Sequence, residues 1–239
     1  MSTPPRRPGE EAPEGEKPKP GTRYPLIVGL AFVILVAYAT YNSIQTEEGG
    51  LLGAEDAERG RALPEFAVPD ITTGLEGDAN VFQDNCDTAQ NPCPEPRDPA
   101  CQIEEERAIR VCDLFDKPLA ISFWFTGGAD CLEEQDAFNR ASERFEGQIN
   151  FLSVNVRDDI DEVRQLAEDR GWSVPVGWDK DGAVSNTYRV GLCPTMALAL
   201  PGGILDDAVI GTASFEDDAL DDVLERLIKD SRELEGAVK

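Results

Sequence analysis

No histidine occurs anywhere in the 239 residues. That removes the usual general base at neutral pH, the Ser–His and Cys–His nucleophile pairs and the commonest zinc ligand. Positive charge is scarce: 22 Lys and Arg face 47 Asp and Glu, for a formal net charge of −25. So anionic a chain has no cationic footprint for nucleic acid, and nucleic-acid binding is excluded. The acidity reads first as a strongly solvated surface. No C-x2-C or C-x4-C pair is present, so zinc, the rival reading of the cysteines, is set aside, and neither a metal nor a cofactor is expected. The D-x-D-x-D-G spacing of a calcium loop is also missing. The acidic runs Asp158-Asp159 and Glu216-Asp217-Asp218 read instead as charges at helix N-termini.

Long apolar runs are limited to one, YPLIVGLAFVILVAYATY, from Tyr24 to Tyr41. As a helix, residues 25–41 reach about 25 Å, slightly short of the hydrocarbon core. Tyr24, Tyr38 and Tyr41 stand where interfacial aromatics are expected. Lys17, Lys19 and Arg23 precede the run, and Glu47 and Glu48 follow it. Positive charge stays inside, so the N-terminus is expected in the cytoplasm, with the bulk of the chain beyond the cell membrane. Ala37-x-Ala39 resembles a signal-peptidase site, but the long, proline-rich and partly acidic leading segment favours a retained single-pass transmembrane helix. Residues 1–23 read as a disordered cytoplasmic tail, and 42–63 as a flexible spacer.

Six cysteines, at 86, 93, 101, 112, 131 and 193, all follow the apolar run. An even number confined to one side of a membrane indicates disulfides in an oxidising compartment. Residues 72–106 carry Asn, Asp, Pro, Gly and three of these cysteines, with no helix or strand period. Structural cross-links among Cys86, Cys93, Cys101 and Cys112 would hold such a stretch; four cysteines allow three pairings, and all three remain open.

From Ala108 the pattern alternates. LAISFWF (119–125) and INFLSVNV (149–156) read as buried strands. Residues 130–147 read as a helix, with Asp130 and Glu133 as a capping box and Gly147 as its stop. A second helix is predicted over 159–170, ended by Gly171, and a short one near 182–188. Strands at 195–200 and 208–212 pair around the Pro-Gly-Gly turn at 201–203, and a last amphipathic helix covers 215–235. Residues 64–235 therefore predict an α/β domain around a mixed sheet, interrupted by the cysteine-bearing insertion at about 72–106.

Four segments, in this order, resemble one family. VCDLFDKP (111–118) and KPLAISFWFTGGADC (117–131) are similar to the approach, strand and active-site turn of TlpA/ResA-type thioredoxin-like redoxins. WDKDGAVSNTYRVGLCPT (178–195) resembles the stretch leading to their cis-proline, and PGGILDDAVIG (201–211) their final hairpin. The resemblance implies a three-layer thioredoxin-like fold, tethered to a membrane, facing outward and handling thiols and disulfides; some relatives serve cytochrome c maturation or oxidative folding. The family motif W-C-x-x-C follows the strand. Here Trp124, Gly128, Asp130 and Cys131 lie on the matching loop, with Gly128 at the place of the attacking cysteine and Cys131 at that of the resolving one. Thiol–disulfide exchange needs an attacking thiolate and a second thiol to release the mixed disulfide, so the ordinary cycle cannot run. Cys193-Pro194-Thr195 matches the cis-proline loop, which faces the active-site turn in that fold. The resemblance thus places Cys193 beside Cys131, with Pro194 cis, as a candidate redox pair; a purely structural disulfide and two unlinked thiols remain the alternatives.

Cys131 stands near a helix N-terminus, which favours thiolate, whereas Asp130, Glu133 and Glu134 oppose it. A helix beginning as late as residue 131 is expected to expose the thiol. Two functions remain: a thiol–disulfide redox protein with an unidentified protein partner, or a non-catalytic thioredoxin-like binding module stabilised by structural disulfides. Peroxidase activity is disfavoured, because Thr126 and Cys131 do not have the P-x-x-x-T-x-x-C spacing. Gly127-Gly128 has no lysine for phosphate. Trp124, Trp172 and Trp178 are expected to pack the core or its margin.

Overall fold

A computed structural model describes residues 28–29, 31–34, 36, 59–81, 87–88, 91–92, 99–127 and 131–237. Among the described residues no helix is long and apolar enough to cross a membrane. The predicted span at 24–41 falls only partly among them; there Val28, Phe32, Val33, Ile34 and Val36 are helical and exposed. The cytoplasmic tail, most of the spacer, Cys86, Cys93, Gly128 and Asp130 lie outside the described residues. The chain divides into two units, residues 1–47 and 48–239, and the second holds the α/β domain.

The central sheet grows from apolar runs with strand period. Strands β6 (Leu119–Trp124), β7 (Asn150–Val156) and β8 (Val176–Asp179) run parallel, while β9 (Thr195–Leu200) and β10 (Ile204–Ile210) return antiparallel, in the order β10-β9-β6-β7-β8. Alternation assigns the faces. Ala120, Trp124, Phe151, Met196 and Leu198 join one core with Phe138, Ala141, Leu220 and Leu224. Leu119, Ile121, Phe123, Leu152, Val154 and Ala197 join the other with Phe66, Val68, Val184 and Tyr188. Helices α1 (Cys131–Arg144), α2 (Ile160–Arg170) and α4 (Asp217–Ala237) contribute to the first core. The short α3 (Ala183–Thr187) and strand β1 (Phe66–Pro69) cover the second face. Three layers around a mixed sheet result, as the resemblance implied.

β1 is the centre of a small antiparallel sheet with β2 (Asn80–Val81) and β5 (Ala108–Arg110). A two-stranded pair, β3 (Asp87–Thr88) and β4 (Asn91–Pro92), follows. The stretch read as devoid of strands thus contains three short ones, too brief to show a period. An Asp70–Gly177 bridge joins β1 to β8. Gly177 is required there: a Cβ would collide with Cγ2 of Val68. Gly203 serves the other end, where a Cβ would lie 2.6 Å from the Phe115 ring, and Gly202 N–H donates to Phe115 O at 2.8 Å.

Four boundaries differ from expectation. β10 begins at Ile204 rather than at 208, because a register shift between Leu205 and Asp207 accommodates the Asp pair that breaks the apolar alternation. α1 stops at Arg144, with Gly147 (φ 76°) closing the turn beyond it. α4 starts at Asp217, after a 3-10 turn at Thr212–Ser214. Residues 59–63, assigned to the spacer, belong to the folded domain. Leu205 N–H donates to Arg61 O at 2.7 Å, Gly60 N–H to Leu205 O at 2.8 Å, and Arg59 pairs with Asp207 at 3.1 Å. The edge of β10 supplies these partners, and no local sequence signal marks it.

Asp179 ends β8 as a buried carboxylate that accepts N–H bonds from Val184 at 3.1 Å and Ser185 at 2.8 Å. Burial pushes its carboxyl above the ordinary 3.8, against the pull of those two donors. With its folded pKa raised, the native state holds the proton more tightly than the unfolded chain. The Asp179 contribution is therefore fully present below pH 3.8 and is lost as pH rises through the raised value. Denaturant unfolding of wild type and Asp179→Asn between about pH 3 and 7 is expected to show the stability difference, wild type minus variant, falling with pH across that window. A flat difference rejects the assignment.

Candidate functional site

The site forms where three parallel strands end. β6 closes on Trp124, and α1 begins at Cys131. Trp124, expected on the loop, is instead the last residue of the strand and is fully buried. It points into the first core, donates from Nε1 to Ser153 Oγ at 2.7 Å, and meets Trp172 edge-on at 5.2 Å. Trp178 is likewise buried, and Trp172 partly so.

The turn after Trp124 hangs on Asp158. Thr126 donates from its N–H at 2.7 Å and its hydroxyl at 2.8 Å, and Asn155 Nδ2 adds a third bond at 2.7 Å. Trp178 Nε1 donates to the Asp158 carbonyl at 2.9 Å. Asp158 therefore fastens the ends of β6, β7 and β8 together. The sequence reading of Asp158-Asp159 as a pair of helix charges holds for Asp159 alone, which caps α2 by accepting from Asp161 N–H and Glu162 N–H. Only one residue can be an N-cap, so the second aspartate was a signal that another role existed.

Strand register brings the distant half of the site to this turn. β6 and β9 pair Phe123 with Thr195, so Pro194 and Cys193 fall beside the end of β6. The Cys193–Pro194 bond is cis. Thr195 Oγ1 donates to Leu192 O at 2.7 Å, and Gly211 N–H donates to Pro194 O at 3.1 Å, fastening the loop on both sides. Cys131 and Cys193, 62 residues apart, form a disulfide with Cα atoms 5.8 Å apart, inside the bridging range.

The two sulfurs have unequal surroundings. Cys131 is 1% exposed, whereas Cys193 is only partly buried. The expectation that a helix start at residue 131 would expose its thiol is thus overturned: the side chain is buried and bonded to Cys193 of the proline loop. Glu134, one turn on, is also buried, and Gln135 lies against Ser122, which donates to its Oε1 at 3.3 Å. A cleft of about 410 Å³ lies between α1, where Glu133, Glu134 and Ala137 line it, and the segment before α4, where Thr212, Phe215 and Glu216 line it.

The second disulfide, Cys101–Cys112, has Cα atoms 5.7 Å apart and ties the 3-10 turn Ala100–Gln102 to the 3-10 turn Val111–Leu114. Of the four cysteines whose pairing was open, Cys101 and Cys112 are thereby joined. Glu65 approaches both sulfurs, making the one group of three metal-ligand types among the described residues. Those sulfurs are bonded to each other and offer no thiolate.

Comparison with known proteins agrees with this architecture. Residues 93–207 match the AhpC/TSA family. The thiol-disulfide oxidoreductase ResA of Geobacillus thermodenitrificans is 31% identical over 114 residues, which cover 47% of this chain and 66% of that protein. ResA of Bacillus subtilis is 29% identical over 107 residues, covering 44% and 60%. The chain thus spans just under two thirds of the length of these relatives. A crystal structure of a putative thiol:disulfide interchange protein DsbE from Chlorobium tepidum shares the fold, with a TM-score of 0.54 over 72% of this chain and 98% of that one, at 14% identity. The chain therefore has a thioredoxin-like fold and, over residues 93–207, is similar to the AhpC/TSA redoxins and the ResA proteins, with a degenerate active-site motif.

Proposed function

We propose that this chain is a membrane-anchored, extracytoplasmic thiol–disulfide exchange protein whose Cys131–Cys193 pair replaces the family's C-x-x-C. The observation that carries the proposal is the bridge itself. Two cysteines distant in sequence meet at the turn where the related domains hold their redox motif, between the first turn of α1 and the cis-proline loop. The substrate is then a protein dithiol or disulfide able to approach that loop. The apolar run at 24–41 and its charged flanks support the anchor. Alkaline carbonate extraction tests it: release of the full-length chain from membranes would reject it.

The redox reading is tested by equilibrating the protein with defined thiol–disulfide buffers and mapping the Cys131 and Cys193 peptides. An exchangeable bond is expected to have a potential above about −300 mV, whereas a structural one lies below that value. A Cys131→Ser, Cys193→Ser double variant should show no exchange at this site. The second reading, a non-catalytic module, is favoured by the burial of Cys131, and a potential below the threshold would establish it in place of the first.

A further inference from the structure

The proposal of an exchangeable bond leaves open which sulfur receives the incoming thiolate. We propose that partner thiolates attack Sγ of Cys193, and that Cys131 is the sulfur that leaves. This inference rests on the redox reading and assigns the two cysteines unequal roles.

Access decides the direction. In exchange, the attacking, central and leaving sulfurs line up, so the attacked sulfur must be open on the side away from its partner. Cys131 is buried, with 1% of its surface exposed. An attacking thiolate would have to displace the side chains that bury it in order to reach it. Cys193 is only partly buried, and the residues before it are open: Gly191 is exposed, and Leu192 is 63% exposed. Its loop is held from both ends by the Thr195 and Gly211 hydrogen bonds, so the sulfur is presented on a fixed frame.

The leaving sulfur is also suitably placed. Cys131 is the first residue of the 14-residue helix α1, where the helix dipole favours a thiolate. Glu133 and Glu134, in the same turn, oppose it. These effects pull in opposite directions on one sulfur, whereas burial closes the alternative route.

The steps balance. A partner thiolate forms a bond to Cys193 Sγ, the Cys131–Cys193 bond breaks, and its electron pair leaves on Cys131. A second thiol of the same partner then attacks the partner's sulfur in the mixed disulfide and releases Cys193 as thiolate. The partner dithiol is oxidised to a disulfide, the protein disulfide is reduced to two thiols, and the two partner protons end on Cys131 and Cys193. The role of the family's first motif cysteine thus passes to the residue before the proline.

The test uses the oxidised full-length chain. It is pulsed with glutathione, quenched with acid, alkylated and mapped by mass spectrometry. Glutathione is expected on the Cys193 peptide, with alkylated Cys131, in about tenfold or greater excess over the converse. Glutathione on Cys131, or equal labelling, overturns the assignment while leaving the exchangeable bond intact. No opening of Cys131–Cys193 at any glutathione concentration overturns the redox reading as well. Single variants provide an independent arm, with folding checked by circular dichroism. The Cys193 thiol in Cys131→Ser should react with a chromogenic aromatic disulfide about tenfold or more faster than the Cys131 thiol in Cys193→Ser. Equal rates, or the reverse order, overturn the proposal.

Discussion

Replacing Cys131 and Cys193 together by serine is expected to lower the unfolding free energy by about 4 kcal/mol, the chain-entropy value for a closed loop of this length. The bond joins residues 62 apart and so strongly restricts the unfolded ensemble. Cys101–Cys112 closes a separation of only 11, for which the same relation gives about 3 kcal/mol. The two loops do not overlap along the chain, so the two double variants should be nearly additive. Guanidinium unfolding of the full-length chain, with each variant beside wild type, measures this. For a domain of this size the larger loss corresponds to a melting shift of roughly 12 °C. A loss below about 1 kcal/mol would mean that the bridge constrains little that the fold does not already hold. The prediction bears on mechanism: if the reduced protein must persist during exchange, its remaining stability has to come from the two cores.

Trp124→Ala is expected to cost a similar amount, about 3–5 kcal/mol, for a fully buried large side chain with limited room to collapse. Its ring meets Trp172 edge-on, and Trp172 Nε1 in turn donates to Asp136 Oδ1 at 2.6 Å, an aspartate that also pairs with Arg170. Loss of the ring therefore removes the packing surface that joins the end of β6 to α2 and α1. Trp124→Phe separates shape from hydrogen bonding. It keeps most of the volume but leaves the buried Ser153 hydroxyl without the indole donor, at a cost of about 1–3 kcal/mol. Urea unfolding of both variants should rank wild type above Phe and Phe above Ala. Equal stability of the Phe variant and wild type would remove the hydrogen bond from the account.

Much of the scaffold was determined locally. The runs LAISFWF and INFLSVNV are apolar on both sides because each strand faces two cores, and such runs remain strands wherever they pack. Asp159 and Gly171 bound α2 because a side-chain oxygen close to free N–H groups, and a residue tolerant of φ 66°, act within a single turn. Charge, the absence of histidine and the order of the four motif segments likewise needed no coordinates to exclude whole classes of chemistry and to identify the family.

Tertiary structure decided what depends on partners far along the chain. Residues 59–63 carry no strand period, yet the open edge of β10 orders them. Asp158 differs from Asp159 only in what surrounds it, since its donors come from β7 and from the turn after β6. The choice of Cys112 for Cys101 followed from the packing of the 3-10 turn Ala100–Gln102 against the turn Val111–Leu114, which no spacing rule contains. The inequality of the two site sulfurs is of the same kind: a cysteine at the start of a helix reads as open, yet in the fold Cys131 is buried while Cys193, bonded to it from a distant proline loop, is only partly so. Sequence sets local torsion and polarity, but burial is a property of what arrives from elsewhere, and burial determines which sulfur a thiolate can reach.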